Sequence, residues 1–368
     1  MSVSHSSSLG QLLIIGLHDH RWSSSLERML RAQQPSGVLL FPGSLRAPGQ
    51  TAELLHKIAR TMSNPPFLAI AEEGGSVNPL KAFLPPLPAP RVLARQGLAA
   101  VRRSGELIGA ALQLLGFNLE FAPRLDLSNP RVKPALDAQT FGTDPKQVAQ
   151  CGKAFIEGLR KHKILACGKH FPGRGVPESD ERGVPVVGKT MVELWREDLL
   201  PLRDLLPLLP LIELSNISYK AYDFDAPRPA ACSANVVNGL LRTKLGYRGL
   251  AIADLLEHLE DASRHVAANE AAMMRFDAFP LSTKAGCDLQ VIRWGEGTAD
   301  RFLREIRKGL ETGSLSHGRV AEALRRIQAV KKGFDRPSGK LRARSFEALS
   351  REFDEFSELV RRGGKIDE

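Results

Sequence analysis

Two places in the sequence bring together side chains that could do chemistry. In the first, an apolar run, Ile164-Leu-Ala-Cys167, leads into adjacent polar residues, Lys169 and His170. A loop dense in Gly and Pro follows, with Glu178, Asp180, Glu181 and Arg182 crowded at its far end. A buried strand, a polar pair and a long shaped loop is how a reactive site is mounted on a parallel sheet. A plain surface turn would explain the glycines and prolines, but not the polar pair directly after a strand. In the second place, Gly249-Leu-Ala-Ile-Ala ends in Asp254. A carboxylate at the end of a buried strand is costly unless it is paired or used. The plainer role there is a cap for the next helix, which Asp fills well.

These residues need a scaffold, and the hydrophobic pattern supplies one. Short apolar runs at residues 12–17, 37–41, 67–71, 118–122, 164–168, 209–214, 250–254 and 286–292 predict eight buried strands. Longer amphipathic runs predict helices at 25–33, 51–62, 92–115, 146–161, 191–206, 234–245, 259–275 and 298–310. Eight buried strands alternating with helices imply parallel β/α repeats, the number that closes a single (β/α)8 TIM-type barrel. An open doubly wound sheet would call for GxGxxG after its first strand, and none is present. Ser316 is a plausible N-cap for a closing helix in which Val320, Leu324, Ile327 and Val330 keep helical spacing. The expected division is a barrel domain over 1–334 and a charged, helical C-terminal extension over 335–368. Reactive groups of such a barrel stand at the C-terminal strand ends. That selects Glu72 and Glu73, the 118–126 stretch, Lys169 and His170, Ser215 and Asn216, Asp254, and Asp288.

The string Lys169-His-Phe-Pro-Gly173, with a second Gly at 175, resembles the signature loop of glycoside hydrolase family 3, in particular its single-domain β-N-acetylhexosaminidases. Gly10-Gln-Leu-Leu-Ile-Ile-Gly16 is similar to that family's opening strand. Phe121-Ala-Pro-Arg-Leu-Asp126 with Asn129-Pro130, Thr140-Phe-Gly-Thr-Asp-Pro145, Arg228-Pro-Ala-Ala-Cys-Ser233, Leu245-Gly-Tyr-Arg-Gly-Leu250 and Ala285-Gly-Cys-Asp-Leu289 follow in the family's order. The resemblance covers nearly the whole barrel. It implies retaining hydrolysis of β-N-acetylhexosaminides from cell-wall turnover, with Asp254 as the nucleophile that forms a glycosyl-enzyme intermediate. It implies that Lys169 and His170 hold sugar hydroxyls, a fit for three ammonium donors and an imidazole donor and acceptor. Glu73, Asp126, Asn216 and Gln139 fall on the family's other sugar-binding positions.

The chain departs from the family pattern in this same pocket. The general acid/base expected thirteen residues after the Lys is a His paired with an Asp two residues earlier; here those positions hold Arg182 and Asp180. An arginine stays protonated at working pH and cannot hand a proton to a leaving oxygen. The expected Asp-x-Glu-Gly-Gly-Arg reads Ala71-Glu-Glu-Gly-Gly-Ser76. A substrate Arg falls on Pro79, another on Gln139, a His on Asn216, a second acid on Leu255 and a Met on His258. Three readings stay open. The chain is an active glycosidase with a replacement acid among Glu178, Asp180, Glu181 and His258; or a catalytically silent relative that binds a sugar, muropeptide or protein partner; or an enzyme of altered sugar specificity.

Composition bounds the rest. A chain of 368 residues that is 43% hydrophobic buries a large core, and no eighteen-residue apolar run spans a membrane. The start lacks a secretory pattern and Cys151, Cys167, Cys232 and Cys287 lie far apart, so the expected location is cytoplasmic with reduced thiols and no zinc site. No metal and no cofactor is expected, because the histidines lack ligand spacing and the implied mechanism needs none. The net charge is +10, and residues 325–344 carry eight Lys and Arg against one acid. With only Phe334 among them and no nucleic-acid motif, a solvated basic helix is expected rather than a nucleic-acid site. The expected partner is a sugar or glycan.

Overall fold

The computed structural model describes residues 9–18, 21–128, 137–175, 178, 179, 185–224, 228–254, 279–293, 297–364 and 366. Eight parallel strands close a barrel: β1 (Leu13–Leu17), β2 (Gly37–Leu40), β3 (Phe67–Ile70), β4 (Leu119–Glu120), β5 (Leu165–Phe171), β6 (Leu211–Leu214), β7 (Leu250–Asp254) and β8 (Leu289–Arg293). Each strand pairs with its sequence neighbour, and β1 closes the ring by pairing with β8, Ile15 opposite Ile292. The strands are buried on both faces, which is why they read as continuous apolar runs instead of alternating ones. β4 is the shortest; Pro123, three residues beyond Glu120, has no N–H with which to continue the ladder.

The helices cover the outside. Among the described residues they include α1 (Ser24–Gln33), α2 (Pro48–Thr61), α3 (Pro90–Gln96), α4 (Leu98–Leu115), α5 (Pro145–Lys161), α6 (Met191–Arg196), α7 (Leu199–Leu205), α8 (Thr298–Glu311), α9 (His317–Lys331) and α10 (Ala343–Arg361). The segment Asn235–Lys244 winds as a wider π-helix. Ser23, Asp144 and Ser316 accept backbone N–H bonds at the starts of α1, α5 and α9, as their residue types favour. The helix expected over 92–115 is two helices, because Gly97 lies at φ +110, outside the range a helix tolerates. The one expected over 191–206 likewise divides into α6 and α7, and the one expected over 259–275 lies outside the described residues. α4 and α5 approach closely where Gly105 and Gly158 meet; a Cβ on Gly158 would lie 2.5 Å from the Arg102 carbonyl.

The chain after Asp335 packs on the barrel. Arg336 donates to the Met62 and Ser63 carbonyls, each at 2.9 Å. α10 buries Phe346, Leu349, Phe353, Phe356 and Val360, and Ser357 donates to the Pro86 carbonyl at 3.0 Å. No helix among the described residues is long and apolar enough to cross a membrane. The four cysteines are buried thiols without disulfide partners.

Two charged residues at the N-terminal end of the barrel have structural partners. Asp288, expected at a C-terminal strand end, instead precedes β8 at the opposite face. It is fully buried and receives Arg242, Arg319 and Arg326, the last at 3.1 Å. Its backbone N–H also binds the Ala251 carbonyl, which fixes it at the bottom of the ring. Lys331, in the basic stretch read as solvated, is 8% exposed, donates to the Ser36 carbonyl at 2.6 Å and lies over the Phe67 ring. Burial pulls its ammonium down from 10.5 to about 7. Because the folded value is depressed below the unfolded one, the unfolded chain holds more protons between about pH 7 and 10.5, and stability rises with pH there. Glu72 works against it: burial raises its carboxyl to about 8, so it costs stability as pH climbs from about 4.5 to 8. The comparison with Lys331→Met separates the two. Between pH 7 and 9 the wild type should gain about 2 kcal/mol relative to Lys331→Met, read from urea midpoints. Equal pH slopes for the two proteins would contradict the assignment.

Candidate functional site

The C-terminal ends of β3 to β7 carry the polar residues of the barrel mouth. The pair Lys169 and His170 lies within β5, not beyond it, since the strand continues to Phe171. Two backbone bonds tie the pair to the segment after β4: Leu125 N–H donates to the Lys169 carbonyl at 2.7 Å, and Lys169 N–H to the Pro123 carbonyl at 3.1 Å. Cis peptides occur at Ala122-Pro123, Lys169-His170 and Phe171-Pro172.

Lys169 closes on Glu73 at 2.6 Å, both side chains nearly inaccessible. Burial alone would lower the lysine, but the Glu73 and Glu213 carboxylates override it and hold the ammonium well above its usual range. His170 stands between two acids. Its Nδ1 lies 2.7 Å from Asp126 Oδ2 and its Nε2 3.5 Å from Glu213 Oε1. Asp126 accepts three further bonds, from the backbone N–H groups of His170 at 3.2 Å and Arg174 at 3.0 Å and from Arg124 Nε at 3.0 Å. Burial would raise this carboxyl, yet His170, Arg124 and Arg174 together keep it far below the ordinary carboxylate range.

Asp254 ends β7 and is 9% exposed. Asn216, just beyond β6, donates its Nδ2 to the Asp254 carbonyl at 2.8 Å. Sheet register sets Glu213 opposite both Lys169 and Ile252, so it sits one inward-facing step deeper than Asp254 on the adjacent strand. Gln139 is fully buried, and its side chain accepts from Ser76 N–H and donates to the Gly74 carbonyl, each at 3.0 Å. It thereby shapes the turn that presents Glu73. Glu72 turns away from the mouth and accepts the Gly74 and Leu80 N–H groups at 3.1 and 2.9 Å. Glu120 accepts the Glu72 N–H at 2.7 Å, and burial pushes its carboxyl well up, toward the neutral form.

Of the residues singled out in the sequence, Glu73, Asp126, Lys169, His170, Asn216 and Asp254 thus meet at one mouth. Asp180, Glu181, Arg182, Leu255 and His258 lie outside the described residues, and Glu178 belongs to a short strand Glu178–Ser179. That strand pairs with Pro185–Val187, which pairs with Ser218–Tyr219 after β6, so Glu178–Ser179 and Pro185–Val187 belong to a small sheet that follows β6. Tyr219 O–H, donating to the Gly173 carbonyl at 2.6 Å, fastens the two together. Glu213 was not singled out. Its signal is a carboxylate inside the apolar run Leu211-Ile-Glu-Leu214, costly there without partners on neighbouring strands. Among the described residues no three His, Cys, Asp or Glu side chains are grouped to hold a metal ion.

Comparison with known proteins agrees with this architecture. The family described as "Glycosyl hydrolase family 3 N terminal domain" matches residues 6–330. A protein named "Beta-hexosaminidase" from Pseudomonas aeruginosa (strain LESB58) is 30% identical over 291 residues, covering 78% of this chain and 84% of that one. A "Beta-hexosaminidase" from Bordetella avium (strain 197N) is 30% identical over 292 residues, covering 76% and 79%. Among solved structures, the β-N-acetylglucosaminidase of Thermotoga maritima superimposes with a TM-score of 0.76 at 26% identity, covering 90% of this chain and 68% of that one. A glycosyl hydrolase of the same family from Mycobacterium smegmatis (strain MC2 155) gives 0.75 at 26%, covering 89% and 97%. With a closed eight-stranded barrel, a polar mouth at its C-terminal face and a family match over most of its length, the chain belongs to glycosyl hydrolase family 3 and resembles its β-hexosaminidases.

Proposed function

We propose that this chain hydrolyses β-N-acetylhexosaminides with net retention, using Asp254 as its nucleophile. The observation that carries the reading is the meeting of Asp254 with Lys169 and His170 at one barrel mouth, in a chain of this family. An Asp254 carboxylate oxygen attacks the anomeric carbon, the bond to the leaving oxygen breaks, and a glycosyl ester forms. Water then cleaves that ester, restoring the carboxylate and releasing the sugar with its original configuration. Lys169, His170, Glu73, Asp126 and Asn216 supply donors and acceptors for the sugar hydroxyls, and Gln139 acts by holding the Glu73 turn. Arg182, with Asp180 two residues before it, takes the place where the family pattern has a proton-donating His. The leaving oxygen therefore departs with little proton assistance.

The expected result is a steep dependence of kcat/KM on the leaving group. A dinitrophenyl β-N-acetylglucosaminide should be turned over about 10²–10⁴-fold faster than the phenyl glycoside, the factor that general acid catalysis ordinarily supplies. A flat series would mean that another residue donates the proton, and would remove Arg182 from the account. A second reading, a silent relative that binds a sugar or muropeptide, is favoured by the internal pairing of Lys169 with Glu73 and of His170 with Asp126. Ligand-induced thermal stabilisation without any turnover of the dinitrophenyl glycoside would select it.

A further inference from the structure

Two adjoining grooves lie on the face opposite Asp254. The first, of about 560 Å³, runs along the N-terminal ends of β5, β6 and β7 between α5 and the Leu245–Gly249 turn. Its wall is mixed, and Ile156, Ile164, Leu165, Leu206, Leu208 and Leu245 supply its apolar part. Leu165, Leu208 and Leu245 are only partly covered by the core beneath them. Pro207 and Pro210 on its edge bring no N–H donors. Tyr247 is fixed in it, its hydroxyl 3.1 Å from the Leu209 carbonyl. Arg160 and Arg248 stand on its rim, both exposed.

The second groove, of about 380 Å³, shares Gly246 and Arg248 with the first. It is lined by Arg242, Arg319 and Arg326 as well, with Glu322 the acid among its lining residues. Asp288 beneath it takes one hydrogen bond or more from each of these three arginines. Arg319 and Arg326 also pair with Glu322, so two carboxylates engage three guanidiniums, and with the exposed Arg248 beside them the surplus is positive. Guanidinium forks match phosphate oxygens in pairs, better than they match a single-point acceptor. A partly apolar trough of small-molecule size opening onto such a cluster complements a molecule with one apolar chain and one anionic head.

We propose that these grooves form one binding site for a single-chain amphiphile with a phosphate head, its chain along Leu165, Leu208 and Leu245 and its head over Arg248 toward Arg326. The site is separate from the barrel mouth, so it does not depend on the catalytic reading.

Titration calorimetry of the full chain with dodecyl phosphate, kept below its micelle concentration, tests this. One molecule should bind per chain, about tenfold or more tighter than dodecyltrimethylammonium of equal chain length and than inorganic phosphate alone. Arg248→Glu, an exposed substitution that leaves the core intact, should weaken binding about tenfold or more, and Arg248→Lys less. Asp254→Asn should leave it unchanged. Equal binding of the cationic and anionic amphiphiles would reduce the site to unspecific apolar adsorption. Inorganic phosphate matching dodecyl phosphate, an affinity indifferent to Arg248→Glu, or no binding at all would each overturn the proposal.

Discussion

Asp254→Asn should lower turnover of a dinitrophenyl β-N-acetylglucosaminide by on the order of 10⁴-fold, with KM little changed. The size follows from what the substitution removes. An amide oxygen is a poor nucleophile and forms no stable glycosyl ester, so the covalent route is closed, not merely slowed. The activated leaving group matters for the comparison, because under the proposed reading, with Arg182 at the family's acid position, an unactivated glycoside would be slow in both proteins. The fold should survive. Asp254 ends its strand, and the bond that Asn216 makes to it goes to its backbone carbonyl, which the substitution keeps. A urea midpoint close to wild type, beside the lost activity, separates chemistry from unfolding. A variant that retains most of its turnover would remove Asp254 from the reaction.

The second large effect is on stability. Asp126→Asn is expected to cost about 3–5 kcal/mol near pH 7, because it leaves buried cationic partners without their counter-charge. Four groups converge on this carboxylate, the His170 ring, Arg124 and two backbone N–H groups, and the carboxylate is 5% exposed. The pH dependence carries the sign. A carboxyl held below its unfolded value contributes stability above about pH 4, and that contribution fades as acid protonates the folded state. The gap between wild type and Asp126→Asn should therefore be full at pH 6–7 and shrink as the pH falls below about 4. Denaturant midpoints across that range decide it. A gap that stays constant down to pH 2 would mean that the charge of Asp126 contributes nothing and that only its shape matters.

The physical origin of these effects explains what could and could not be read from the chain. The barrel was legible because strands buried on both faces must be apolar throughout, and eight such runs alternate with helical ones. Their ends were less so. Lys169 and His170 are polar, and by residue type they look like the start of a loop; they stay in β5 because Glu213 on β6, and Glu73 and Asp126 just beyond β3 and β4, compensate them. Those partners lie up to about a hundred residues away along the chain, beyond any local pattern. Glu213 escapes a local pattern for the same reason. Asp288 is recognisable from the sequence as a buried acid, but the three arginine partners that hold it at the N-terminal end of its strand are distant in sequence. Lys331 looked solvated in a basic stretch and is covered because the N-terminal end of the barrel needs a plug that reaches the Ser36 carbonyl. Gly97, by contrast, announced the break between α3 and α4, and the helix expected across it ignored a residue that disfavours helix interiors.

The most direct test is to look for the covalent intermediate. The protein is mixed with an excess of dinitrophenyl β-N-acetylglucosaminide, quenched in acid during turnover, digested and mapped by mass spectrometry. One N-acetylhexosaminyl adduct is expected, on the peptide that carries Asp254, and none in Asp254→Asn. Product release with no adduct on that peptide, or an adduct on another carboxylate such as Glu213, would contradict it.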